Sequence, residues 1–180
     1  MEPKKRLLND RILNLPVSGK NPYSLNSFPS IIIKENSSQK IKFNVIPGRH
    51  VDENIQIKEY RIWDNAIETI FNREYETDML NSPDHLTFLS SLINLQKMVY
   101  VFMHNYLSIE YNNKKKEALK VWPGKLSIDM PRMIFRKENI SHLMIIKSIQ
   151  KIKKNRYKMH AITKVDDIVE ISGDALIIVL

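Results

Sequence analysis

The sequence predicts an α+β domain in which antiparallel strands surround one long buried helix, and three observations carry that prediction. Residues 86–109, LTFLSSLINLQKMVYVFMHNYLSI, are apolar on nearly every face and include one formal charge, Lys97. A helix so poor in charge is a buried helix, unlike the half-polar helices of most domain surfaces. Beyond residue 128 the period changes to two, as in Met144, Ile146 and Ser148 against Ile145, Lys147 and Ile149, which is the pattern of strands. Lys154-Asn155 and Asp166-Asp167 punctuate this region where tight hairpin turns belong.

Taken in order, residues 1–38 carry Pro3, Pro16, Pro22 and Pro29 among many Asn and Ser. Such a composition starts and breaks short elements, and predicts an irregular arm ahead of a domain spanning 39–180. Ile41, Phe43 and Val45, then Ile55 and Ile57, alternate on either side of Pro47-Gly48-Arg49-His50 and predict two strands joined by a turn. Residues 64–80 admit two readings: Ala66, Ile67, Ile70 and Phe71 have helical spacing, whereas REYETDML is strand-like. Ser82 is then placed as N-cap, Pro83 at the first helical position and Asp84 in the first turn, where the helix dipole favours an acid. Tyr111 to Lys116 opens a solvated connection that runs to a Trp122-Pro123-Gly124 turn. Strands are expected over Ile128–Arg136, Leu143–Lys153, Arg156–Val165 and Ile168–Leu180, and no internal repeat is present.

Composition bounds the function. The chain has 180 residues, 43% hydrophobic and 27% charged, which fits one core and excludes collagen-like and low-complexity scaffolds. With no cysteine there are no disulfides, thiolate nucleophiles or Cys-based metal sites, and a cytoplasmic setting is expected. The four glycines are scattered, so neither a P-loop nor a dinucleotide-binding loop is available. No signal-peptide h-region and no run of about 18 apolar residues occurs, so a soluble protein without a membrane span is expected. The five histidines lack short metal-ligand spacing; no metal and no cofactor are expected. The net charge of +8 favours an anionic partner.

A strand-rich start, a hydrophobic helix led by Ser-Pro-Asp-His, a loop and several long strands resemble the order of the hot-dog fold, a curved antiparallel sheet wrapped around one helix. Asn81 to Tyr100, NSPDHLTFLSSLINLQKMVY, resembles the helix entrance of hot-dog acyl-thioester enzymes. The spacing of His85 and Tyr100, together with MIFRK at 133–137, is similar to the mycobacterial-type long-chain fatty acyl-CoA thioesterase family. The resemblance implies hydrolysis of an acyl-CoA or acyl carrier protein thioester, with the acyl tail beside the helix at a dimer interface. At two helix positions where that family carries asparagine, this chain has Thr87 and Gln96.

The candidate site follows from the helix entrance. Unpaired N–H groups at a helix start can stabilise the oxyanion of a thioester carbonyl, and a neutral His85 in the first turn could act as base. His85, Gln96 and Thr87 are the catalytic candidates. Asp84, Ser90, Asn94 and Tyr75 are candidates for binding substrate, although Asp84 also suits a purely helix-stabilising role and Ser90, Ser91 and Asn94 can bond within the helix. Glu74 shares the segment of Tyr75. No Asp or Glu occurs between Leu86 and Ile109, which argues against the His–carboxylate pair of a hot-dog dehydratase. KSIQKIKKNRYK, residues 147–158, holds six basic residues and no acid. Lys151, Lys153, Lys154 and Arg156 there could dock coenzyme A phosphates or an acidic carrier protein; a solvated hairpin tip is the plainer reading, and nucleic acid ranks below both. A hydrolase and a non-catalytic acyl-binding or partner-binding hot-dog module are the two functions carried forward.

Overall fold

In a computed structural model, described here for residues 23, 25, 28–111 and 118–180, seven strands and one helix occur in the order β1 (Ile31–Ile46), β2 (Arg49–Ile62), β3 (Ala66–Thr77), α1 (Phe88–Tyr106), β4 (Leu119–Asp129), β5 (Ile140–Lys153), β6 (Arg156–Val165) and β7 (Val169–Val179). All pairings are antiparallel, in the order β1-β2-β3-β5-β6-β7-β4. One helix reaches both edge strands. Lys97 Nζ bonds Glu35 (2.9 Å) and Ser37 (2.7 Å) on β1, and Gln96 Nε2 donates to the Val121 carbonyl on β4 (3.3 Å). A flat sheet could not offer both edges to one helix, so the sheet curls around α1: the hot-dog arrangement.

Period-two burial sets the inner face. Ile55 and Ile57 of β2, Ile67 and Phe71 of β3, Ile140, Met144 and Ile146 of β5, and Met159 and Ala161 of β6 form one buried core with Met98, Val101, Phe102 and Met103 of α1. The turns expected at 154–155 and 166–167 are present, and Asp166 and Asp167, the first two of the three residues joining β6 to β7, both have positive φ, 48° and 57°. Gly48 (φ 76°) serves the β1–β2 turn in the same way.

Three expectations are corrected, and the two readings of residues 64–80 are resolved. The first strand begins at Ile31, so irregular chain does not extend to residue 38; residues 1–22 and Lys114–Lys116 lie outside the described residues. Residues 66–77 are a strand, because β3 must fill the place between β2 and β5 and its inner face is Ile67, Thr69, Phe71 and Arg73. The helix starts six residues later than Ser82, with Thr87 as N-cap accepting from the Ser90 N–H. Finally, β4 runs straight through Trp122-Pro123-Gly124, with a bulge between Pro123 and Leu126, and ends at Asp129. An edge strand tolerates proline because one side of its backbone needs no partner.

Candidate functional site

Two constellations surround α1. The first is at its N-terminus and is built from charges placed where the strand pattern calls for apolar residues. Glu53 sits on the inner face of β2 between Val51 and Ile55, and Arg73 on the inner face of β3 after Phe71; each is 2% exposed or less. The Glu53 Oε2 accepts from the Thr87 N–H (3.3 Å), the Thr87 hydroxyl (2.6 Å) and the Ser90 hydroxyl. Arg73 Nη1 stands 3.7 Å from Glu53 Oε1 and 2.8 Å from Asp84 Oδ1, while its Nε donates to the Arg136 carbonyl (3.0 Å). Lys137 Nζ meets Asp84 Oδ2 at 2.6 Å. Burial pushes the Asp84 carboxyl up, but hydrogen bonds and charge from Lys137 and Arg73 outweigh it and hold its pKa below the usual carboxylate range. The protein's own carboxylate therefore fills the positive end of the helix.

His85 precedes α1 in extended chain, outside the field of a first turn. Its Nδ1–H donates to the Pro83 carbonyl (2.7 Å), which leaves Nε2 free of that bond, and its ring lies 6.1 Å from that of Tyr75. The Tyr75 hydroxyl bonds the Ser82 hydroxyl (3.0 Å). The segment 133–137 packs beside this entrance: Leu86 N–H donates to the Ile134 carbonyl and Arg73 N–H to that of Lys137, both at 2.8 Å. The two stretches that carried the sequence resemblance are thus neighbours in space. His85 and Tyr100 are not, since Tyr100 packs near the other end of α1 against His104 and Tyr111.

The second constellation is an apolar groove of about 220 Å³ between α1 and the inner faces of β4, β6 and β7. Leu92, Val99, Val121, Met159 and Ile171 are among its walls, with Gln96, Thr163 and Asp174 supplying polar side chains. Gln96 follows Ser90 by six residues, about 240° around the helix, so it faces away from Thr87, Ser90 and Asn94. The structure therefore divides the helix candidates between two faces and separates Gln96 from His85 and Thr87.

Asn94 links the buried face to the groove. Its Nδ2 donates to His142 Nδ1 (3.1 Å), and His142 Nε2 lies 3.1 Å from the Thr163 hydroxyl. His142 has no exposed surface, and burial drives its pKa down to about 3. It is neutral, and because Nδ1 accepts from Asn94 its proton is on Nε2, donated to Thr163. Glu53, Arg73, His142 and Thr163 were missed by the sequence reading. The available signal was a polar residue at a core-parity position in an alternating strand, as in Ile140-x-His142-x-Met144.

Lys151, Lys153, Lys154 and Arg156 are all exposed at the β5–β6 hairpin tip. Among the described residues no group of three or more histidines and acids could hold a metal ion, and no helix is long and apolar enough to cross a membrane.

No protein-family model and no curated protein sequence matches the chain. Among solved structures, it is similar to a mutant thioesterase from Pseudomonas aeruginosa, at 10% identity and a TM-score of 0.41, covering 70% of this chain and 82% of that one. A thioesterase from Haemophilus influenzae is similar at 11% identity and a TM-score of 0.42, covering 70% of this chain and 79% of that one.

Proposed function

We propose that the chain is a cytoplasmic hot-dog acyl-thioester hydrolase acting on an acyl-CoA or an acyl carrier protein. The observation that carries this reading is the groove: a concave apolar channel along the central helix with few polar groups in its wall, the form of a site that takes an acyl chain and fixes its head. In this reading Gln96, at the rim with its amide on the Val121 carbonyl, holds the thioester carbonyl or a water. His85, with Nδ1 engaged by the Pro83 carbonyl and Nε2 free of that bond, is the second candidate base, and Tyr75 and Asp84 shape the entrance around it. Thr87, Ser90 and Asn94 act through the hydrogen bonds that fix the helix, as positioning residues. Lys151, Lys153, Lys154 and Arg156 would receive the phosphates of coenzyme A or the acidic face of a carrier protein.

Self-association belongs to the same reading. β4 forms one edge of the sheet and exposes Trp122 (56%) and Ile128 (39%), followed by Met133 and Phe135. Exposed apolar side chains along an unpaired edge suit pairing with a second copy, which would cover the groove wall that β4 supplies.

A non-catalytic acyl-binding module is the second reading, and one observation favours it. The buried Glu53 carboxylate is held by three donors and faces Arg73, so it has no role as a base. Free-thiol release from acyl-CoA and acyl carrier protein thioesters separates the two. Turnover by the native protein that collapses in Gln96→Ala or His85→Ala identifies a hydrolase and shows which end of α1 does the chemistry. Acyl binding without thiol release identifies the module.

A further inference from the structure

We propose that the groove selects an acyl chain bearing its own oxygen, a hydroxyl or keto group along the chain, which the Thr163 hydroxyl binds. The inference rests on the acyl reading of the groove and names the class of chain that it takes. Thr163 lies on the inner face of β6 together with Met159 and Ala161, and all three line the groove. Around Thr163 the wall is Met144, Ala161 and Ile171. The Thr163 oxygen is bonded to His142, but in a groove filled by plain methylenes its hydroxyl proton would face no acceptor, which costs free energy in a buried site.

The hydroxyl is also oriented. Asn94 donates to His142 Nδ1, and His142 Nε2–H then donates to Thr163 Oγ1, so the relay uses the threonine oxygen as an acceptor. Beyond His142, Thr163 Oγ1 makes no hydrogen bond among the described residues, and the groove is the open space beside it. The relay itself is built into the core: Asn94 and His142 have no exposed surface and Thr163 is 1% exposed. Asn94 comes from α1, His142 from β5 and Thr163 from β6, so three elements converge to hold one donor. A ligand oxygen that accepts from Thr163 completes the chain, whereas a saturated chain leaves a donor facing methylenes.

The test measures binding of hexadecanoic acid and a series of its hydroxylated derivatives, with the hydroxyl near the head, at mid-chain or at the far end. At least one hydroxylated acid should bind about tenfold more tightly than the saturated acid, the weight of one well-placed hydrogen bond. That preference should vanish in Thr163→Val, which keeps the shape and loses the hydroxyl, and return in Thr163→Ser. Equal binding of all the acids by the native protein overturns the proposal and leaves the acyl groove standing. So does a preference that survives in Thr163→Val. Binding of none of the acids overturns both. The native comparison decides the matter even if Thr163→Val does not fold.

Discussion

Lowering the pH from 7 to 5 should destabilise the fold through His142. The imidazole has no exposed surface and burial holds its folded pKa at about 3, against an ordinary value of 6.5. Above pH 6.5 the ring is neutral in both folded and unfolded chains and costs nothing. As the pH falls below 6.5 the unfolded chain takes up a proton that the folded chain refuses, so stability drops, and it keeps dropping until the folded pKa is reached. One pH unit in that window is worth about 1.4 kcal/mol, so between pH 7 and 5 the loss is about 2 kcal/mol after the partial protonation near 6.5 is included. With a urea slope of about 2 kcal/mol per molar, the unfolding midpoint should fall by roughly 1 M. Urea titrations of the native protein and of His142→Gln at both pH values isolate this effect from the other titrating groups. The native protein should lose about 2 kcal/mol more than the variant over that interval. Parallel shifts in the two proteins would refute the reasoning.

Three further outcomes follow from the packing. A Cβ at Gly173 would run into the Lys125 carbonyl and the Leu126 side chain at the β4 bulge, so Gly173→Ala should cost about 2 kcal/mol by thermal melting and loosen β4, seen as faster amide exchange along that strand. Glu53→Ala removes the acceptor for two hydroxyls and a helix N–H and strips Arg73 of one of its two carboxylates; a loss of about 3 kcal/mol, or about 10 °C in Tm, is expected by calorimetry. The pair Trp122→Lys and Ile128→Lys should convert the proposed dimer to a monomer in light scattering, whereas an unchanged mass would show that β4 is not the contact.

The hydrophobic pattern made much of the fold legible. The run around Met98 and Phe102, with Lys97 as its one charge, marks the buried helix, and the alternation from Leu143 onward marks β5, β6 and β7 with both connecting turns. Where local signals were ambiguous, tertiary context decided. Ile67, Ile70 and Phe71 satisfy a helical spacing as well as a strand, and only the empty place between β2 and β5 selects the strand. Ser82-Pro83-Asp84 is a sound local helix start, yet Asp84 is drawn instead to Arg73 and Lys137, and the helix begins where Thr87 and Ser90 find Glu53. The site was less legible for a related reason. Gln96 and Asn94 could be picked out as polar residues in an apolar helix, but their partners Val121 and His142 lie 25 and 48 residues away along the chain, and no local spacing connects them.

The groove as the acyl site is the central claim. The measurement that tests this most directly is the initial rate of thiol release from acyl-CoA thioesters of increasing chain length, by the native protein and by Ala161→Phe, in which a bulky ring fills the groove from β6. The native rate should rise with chain length, and the variant should lose the long chains while still turning over the acetyl thioester. Long-chain turnover that is undiminished in Ala161→Phe would place the acyl chain elsewhere and contradict the account.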